Sequence, residues 1–335
     1  MHTGRRQTIA VSTPEDHVSK PLTVIMPFLN EGDQVRATLD SLYATARSDM
    51  FSVIAIDDNS TEQIDLSGYP DVTTIRHNRR WGVDGSRHQG IQYADTEYLF
   101  IIDAHMRFPD DRWMERLIKY LVTIPKSILS TTCMSLGYGI DHLKDATSKY
   151  KGATLCLISK EPERTSTGEL KAAREVIEGK WLTQDKWPPE PVFDVACVMG
   201  ATYAFSKRWY NHLHGLEGLQ QWGSSEPYLS VKSWLAGGTC KCITDIEIGH
   251  FFRDHSPYAT TIWSLVYNKL LMMSVLFPQE LSEKLIPAMP QDVSFELAYK
   301  KISENNVWIT EERAYFDSIK KHDMQWYIDK FGIAV

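Results

Sequence analysis

The sequence predicts an α/β protein built on a doubly wound, mostly parallel sheet, with a helical region appended at its C-terminal end. Three observations point to it. Between residues 22 and 133, short runs of β-branched and aromatic residues alternate with stretches whose apolar residues recur at helical spacing. Several of these runs end on acidic or polar residues, at Asn30-Glu31, Asp57-Asp58 and Asp103, as at the carboxyl ends of strands that open onto a ligand crevice. Beyond Thr260 no strand-like run remains, and the pattern is helical throughout.

Taken in order, residues 1–20 are polar and charged and read as a disordered lead-in. Leu22–Phe28 is a strand ending in a Pro turn, and a helix follows from Gly32 to Arg47, with Val35, Leu39, Leu42, Tyr43 and Ala46 on one face. Phe51–Ile56 is a second strand and Val72–Ile75 a short third. A helix over 84–94 leads to the buried strand Tyr98–Ile102. Another helix spans 110–123, then a strand spans 127–133. Residues 135–190 are polar and rich in glycine, which predicts loops with one short helix over Glu169–Glu178. Order returns over 193–205, a helix is expected over 226–236, a strand over 239–248, and helices from Thr260 onward. These patterns divide the chain into a lead-in (1–20), an α/β domain (21–255) and a helical region (256–335).

The chain has 335 residues, 43% of them hydrophobic and 24% charged, enough for a large core. A net charge of −7 excludes a global basic field that would draw it to nucleic acid or an anionic membrane. Five cysteines in no regular framework suit a reducing compartment, and Cys240-Lys241-Cys242 is not a metal or redox spacing. No apolar leader stands in the first 20 residues. The most apolar later stretch, 262–277, is broken by Ser264, Asn268, Lys269 and Ser274 and is too short to span a bilayer comfortably. These features predict a cytoplasmic protein without stable membrane insertion.

The strongest chemical signal is Asp103-Ala104-His105 after the Tyr98–Ile102 strand. On extended backbone, residues i and i+2 point to one side, so a carboxylate and an imidazole can reach one ion. Mixed O/N ligation suits Mn²⁺ or another first-row divalent cation better than Ca²⁺. A helix cap plus a surface histidine is the bland alternative. His250, in Gly249-His250-Phe251-Phe252-Arg253, is a candidate third ligand, with Arg253 placed for a diphosphate. Arg76–Arg80, followed by Gly82 and Arg87, offers guanidinium groups and a glycine turn opening a helix, which suit phosphate. Asp57-Asp58-Asn59-Ser60 can accept hydrogen bonds from a base or a ribose, or simply form a turn. Trp222 and Glu226 pair an aromatic platform with a carboxylate, a common way to hold a sugar. Glu226 also fits as a first-turn residue favoured by the helix dipole.

Together these segments resemble the GT-A fold glycosyltransferases, broadly of the family 2 type, and in their motifs the polypeptide N-acetylgalactosaminyltransferases. The resemblance covers roughly residues 21–275. It rests on Phe28-Leu29-Asn30-Glu31, Ile56–Ser60, Arg79-Arg80-x-Gly82, Asp103-Ala104-His105, Met199-Gly200-Ala201, Trp222-Gly223, Trp234 with Gly237-Gly238, and Gly249-His250-x-Phe252-Arg253 leading to Pro257-Tyr258. It implies that Asp103, His105 and His250 bind Mn²⁺, that Asp58 contacts the uridine, and that Arg80 holds the nucleotide. Arg253 and Tyr258 would steady the diphosphate and a closing loop, and Trp222 would pack beside the sugar. Pro27, Phe28, Asn30, Glu31, Gly82, Ala104 and Gly200 complete the implied nucleotide-sugar site. The chain departs from that family at Ser225, where the family's Trp-Gly-Gly-Glu motif has its glutamate; Glu226 stands one residue later.

The expectation is therefore a metal-dependent, retaining transfer of a sugar from a UDP-sugar to a hydroxyl of a glycan, a protein Ser or Thr, or a hydroxymethylated DNA base. An inverting family 2-type enzyme with Glu226 as base is the alternative, as is a non-catalytic nucleotide-sugar-binding protein. A bacterial or viral enzyme of the cytoplasm fits the missing leader.

Overall fold

The first strand, β1 (Leu22–Phe28), is buried along its whole length, as its β-branched and aromatic content requires. The computed structural model describes residues 20–137, 141–146, 148–158, 176–199, 201–253 and 257–334. In it, α1 (Gln34–Thr45), β2 (Phe51–Asp57), β3 (Val72–Arg76), α2 (Val83–Tyr93) and β4 (Tyr98–Ile102) follow in the expected order. The two-residue β5 (Met106–Arg107), α3 (Trp113–Thr123) and β6 (Ser127–Leu136) come next. Then come β7 (Lys149–Tyr150), β8 (Ala153–Ile158), β9 (Val176–Trp181), β10 (Val192–Asp194), β11 (Thr202–Ser206) and α4 (Lys207–His212). The chain continues through α5 (Ser225–Leu235) and the long strand β12 (Thr239–Phe251). It ends in α6 (Ile262–Leu276), α7 (Gln279–Leu285), α8 (Val293–Glu304), α9 (Asn306–Ile319) and α10 (Met324–Phe331).

The main sheet has the order β10-β12-β6-β11-β4-β1-β2-β3, with β5 on β12 and β7 on β6. The β4-β1-β2-β3 half is parallel throughout, and β12 is parallel to β6. β11 lies antiparallel between β4 and β6, so the two parallel blocks meet across a reversed strand. Alternate residues of β1 serve opposite faces. Leu22, Val24, Met26 and Phe28 join a core with Leu39 of α1 and Trp113 of α3. Ile25 joins a second core with Ile91 of α2, Tyr228 of α5 and Tyr267 of α6. Helices on both faces make the sheet doubly wound.

The C-terminal helices share that second core, to which Phe316 and Tyr327 belong. Polar ties reinforce it. Lys232 of α5, fully buried, donates to Glu312 of α9 at 3.0 Å, and His214 Nδ1 lies 2.7 Å from the same carboxylate. Tyr327 donates to the Ala196 carbonyl at 2.8 Å.

Two expectations change. The helix over Glu169–Glu178 is replaced at its end by strand β9, which pairs antiparallel with β8, while 169–175 lie outside the described residues. Pairing with β8 satisfies the backbone of β9 as a hairpin, and Val176 and Ile177 are both buried. Strands β6 and β12 run further than expected, to Leu136 and Phe251, because each satisfies the other's backbone over ten paired positions. Of the lead-in, residues 1–19 lie outside the described residues.

Candidate active site

The chain runs outward from β1 to β2 and β3, then returns to place β4 on the other side of β1. The crevice outside the carboxyl ends of β1 and β4 is thus a topological switch point, where open α/β sheets bind ligands. A cavity of about 560 Å³ lies there. Pro27, Phe28 and Glu31 line it from β1, Asp58 from β2, and Asp103, Ala104 and His105 from β4. Arg80, Ser86 and Arg87 contribute from the start of α2, Trp222–Pro227 from the start of α5, and His250, Phe252 and Tyr258 from the end of β12 and beyond. Ile177, Glu178, Gly179 and Trp181 of β9 form a further wall.

Within it, one ligand atom each from Asp103, His105 and His250 lies within 4.8 Å of the others. His105 Nε2 is 3.1 Å from His250 Nε2, and His250 Nε2 is 3.4 Å from Asp103 Oδ2. Backbone pairing fixes this meeting. β5 pairs with Gly249 and His250, and the Phe251 N–H donates to the His105 carbonyl at 3.2 Å. His105 Nδ1 lies 3.2 Å from Glu31 Oε2, and Arg253 pairs with the same carboxylate. Burial works against ionisation of Glu31, but the hydrogen bonds from His105 and Arg253 outweigh it and hold its carboxyl below the usual range. An ionised Glu31 accepts from Nδ1–H, which leaves the Nε2 lone pair of His105 aimed at the cluster. Burial, with the charge of nearby Arg253 adding to it, keeps His250 below its ordinary pKa against the pull of Asp103, so its imidazole is neutral near pH 7. Burial opposes the charge on Asp103, yet His250, Arg87 and His105 together hold it well below the carboxylate range. One carboxylate and two imidazoles, with a second carboxylate behind one of them, fit a first-row divalent cation.

Arg87 is the second centre. Its guanidinium is buried and donates to Asp103 Oδ1 at 3.2 Å, Glu226 Oε1 at 3.0 Å and Ser225 Oγ at 3.2 Å. The Ser225 hydroxyl also donates to Glu226 Oε2 at 3.1 Å. Asp84, one helical turn before Arg87, lies 3.9 Å from it, and neither of its carboxylate oxygens has a hydrogen-bond partner. Burial, with Glu226 adding to it and Arg87 opposing, raises the Asp84 carboxyl to about 7.

Residues 23–171 match the model of the family described as Glycosyl transferase family 2. The chain is 25% identical over 247 residues to polypeptide N-acetylgalactosaminyltransferase 4 of Caenorhabditis elegans, covering 71% of this chain and 39% of the relative. It is 21% identical over 320 residues to polypeptide N-acetylgalactosaminyltransferase 10 of Homo sapiens, covering 92% and 49%. It therefore spans less than half the length of these curated relatives. In fold it is similar to the crystal structure of GalNAc-T7 with UDP, GalNAc and Mn²⁺, with a TM-score of 0.67 and 19% identity over 95% of this chain and 57% of that one. A structure of S. aureus TarS 1–349 in complex with UDP-GlcNAc aligns with a TM-score of 0.51 and 11% identity over 77% and 66%. These likenesses bear out the expected GT-A fold. They overturn the expectation of a cytoplasmic bacterial or viral enzyme, since the curated relatives are animal polypeptide N-acetylgalactosaminyltransferases. No helix among the described residues is long and apolar enough to cross a membrane.

The fold brings most of the expected site residues to one cavity. Pro27, Phe28, Glu31, Asp58, Arg80, Ala104, Trp222, Glu226 and Tyr258 line it together with the three-residue cluster. Asn30, Gly82 and Arg253 are not among the residues that line it. Asn30 binds the Thr61 N–H through Oδ1 at 2.8 Å, and Arg253 is held on Glu31. Gly82, at φ +85°, lets α2 approach the backbone of Gln221, where a Cβ would come within 2.1 Å of Cα. Gly200 lies outside the described residues. Asp58 faces the cavity but already accepts from the Trp81 and Gly82 N–H groups at 2.7 and 2.8 Å and pairs with His77 Nδ1 at 2.8 Å. Arg80 stacks over the Tyr258 ring at 5.0 Å and donates to the Ala259 carbonyl. Sequence reasoning placed Arg87 only in a phosphate-binding run, not as the link between Asp103 and Glu226. The Asp84–Arg87 spacing of one helical turn was the available signal. The β9 wall gave none, because its composition reads as loop.

Proposed function

We propose that this chain is a metal-dependent glycosyltransferase that moves a sugar from a UDP-sugar to a hydroxyl acceptor with retention of configuration. The observation that carries the reading is one cavity at the sheet's switch point that joins the Asp103–His105–His250 cluster to the Arg87–Glu226 pair. Asp103, His105 and His250 would hold Mn²⁺, which when bound neutralises charge on the departing diphosphate. Glu31 keeps His105 in the liganding tautomer. Arg80 and Tyr258 lie at the nucleotide side, and Asp58 shapes the turn that presents Arg80. Arg253 reaches a diphosphate only by leaving Glu31. Arg87 and Glu226 form the sugar end of the cavity, with Trp222 as its apolar wall.

The retaining reading is favoured by Glu226 itself. Both its oxygens already accept hydrogen bonds, one from Arg87 and one from Ser225, which suits holding a sugar better than taking a proton from an acceptor. The curated relatives are named for polypeptide acceptors. A protein Ser or Thr is therefore the acceptor to test first, ahead of a glycan or a hydroxymethylated base.

Calorimetric titration of UDP, UDP-GalNAc and UDP-GlcNAc, with and without Mn²⁺, tests the reading on wild type and Asp103→Ala. Binding that needs the metal and disappears in the variant is the expected result. No UDP binding in any metal would sink it. The anomeric configuration of the product, read by NMR, separates retention from inversion.

A further inference from the structure

The loop that carries Trp222 is built from unfavourable backbone. Gln221 and Ser224 sit at φ +48° and +66°, and Gly223 at +108°. Non-glycine residues adopt this region only where their surroundings hold them there. On one side the loop is pressed by α2: the Asp84 N–H donates to the Gln221 carbonyl at 3.1 Å, at the close approach that Gly82 permits. On the other side stands α6. Asn268 of α6 is fully buried. Its Oδ1 accepts from the Gln220 N–H at 2.8 Å. Its Nδ2 donates to the Gln220 carbonyl at 2.9 Å and the Gly223 carbonyl at 2.8 Å, with the Trp222 carbonyl at 3.4 Å. One side chain thus satisfies both backbone groups of Gln220 and spans the loop to Gly223. Leu265, one turn earlier, fills the space where a Cβ on Gly223 would stand 2.5 Å away, and the Thr261 hydroxyl donates to Gln221 Oε1 at 2.7 Å.

We propose that Asn268 is a positioning residue for the sugar end of the active site. It clamps Gln220–Gly223, and through that loop it sets the Trp222 ring and the start of α5, which carries Glu226. The proposal rests on the transferase reading for its functional consequence but not for the clamp itself. α6 then works as the back plate of the sugar subsite, and the site requires the helical region to be complete. Among the described residues the side-chain hydrogen bonds of Asn268 go to Gln220, Trp222 and Gly223 and to none of Asp103, His105, His250 or Arg80, so nucleotide and metal binding are separable from its effect.

Asn268→Leu removes every hydrogen bond at similar volume, and Asn268→Asp keeps the acceptor while turning a carboxylate toward the loop carbonyls. Hydrogen exchange of peptides covering 219–225 tests the clamp without reference to activity. Faster exchange there, with peptides of β4 and β12 unchanged, is expected. UDP and Mn²⁺ affinity, by calorimetry, should stay within about twofold, while kcat for UDP release from UDP-GalNAc or UDP-GlcNAc falls about tenfold or more. A double-mutant cycle with Trp222→Ala should be non-additive, because both changes act through one loop. Unchanged exchange in both variants would overturn the clamp. Unchanged kcat, a parallel fall in UDP affinity, or strict additivity would overturn its role at the sugar end. Should Asn268→Leu fail to fold, Thr261→Val with Leu265→Ala loosens the same back plate and takes the same measurements. A wild type that releases no UDP from either donor tells against the transferase reading, and exchange then decides the clamp alone.

Discussion

Asp84 makes a test of electrostatics inside this fold. Its side chain is buried on α2, neither oxygen has a hydrogen-bond partner, and burial raises its carboxyl from 3.8 to about 7. A carboxyl whose folded pKa is raised is protonated in the native state where the unfolded chain has already ionised. The native state therefore binds more protons between about pH 4 and 7, and stability falls across that window as pH rises. The full shift corresponds to at most about 4 kcal/mol at 1.36 kcal/mol per unit. Asp84→Asn replaces the protonated acid with a neutral group of the same shape. At pH 4.5 the variant and wild type should unfold at similar urea concentrations. By pH 8 the variant should be the more stable by about 1–4 kcal/mol, read from tryptophan fluorescence at matched m-values. A difference that does not change with pH would refute the reasoning. So would a wild type that gains on the variant as pH rises, since that is the signature of an ionised Asp84 paired with Arg87.

Two further perturbations bear on other parts of the molecule. Glu31→Gln removes the carboxylate behind His105, and Mn²⁺ affinity in the presence of UDP should fall about 10- to 100-fold by titration calorimetry; an unchanged affinity would mean Glu31 does not orient that ligand. Lys232→Met leaves Glu312 buried with His214 as its remaining side-chain partner and should cost about 3–5 kcal/mol in urea denaturation, whereas Lys232→Met with Glu312→Leu should recover most of it. A single variant as stable as wild type would mean the pair does not hold α9 to α5.

What the sequence disclosed was local. Asp103 and His105 were legible because two chemical groups at i and i+2 follow an apolar strand, and His250 because it ends another. Arg87 was visible as a base but not as a hub, since its partners Glu226 and Asp103 reach it only when α2 and α5 converge on the crevice. The β9 wall was hidden because a hairpin of mixed polar and glycine residues has no period distinct from a loop. Asn268 and Lys269 were noticed as interruptions of an apolar helix. They interrupt it because they face polar partners, the Trp222 loop and Glu178 of β9. In a helix whose neighbours are unknown, such a residue reads as a flaw in the core.

The seating of His250 on β12 has a consequence for how this protein matures. Asp103 and His105 arise early in the chain, within the stretch that matches the family 2 model, but the third member of the cluster, the His250 imidazole, arrives only when β12 docks between β6 and β10 and takes β5 onto its end. A one-residue slip in that ladder would turn His250 to the opposite face. A polypeptide ending at residue 171 keeps two of the three ligands and gains no high-affinity site. With the proposed cation site, tight divalent-ion binding would be a late event in biosynthesis, a certificate that the last strand of the sheet has found its register, and not a template around which the earlier strands gather.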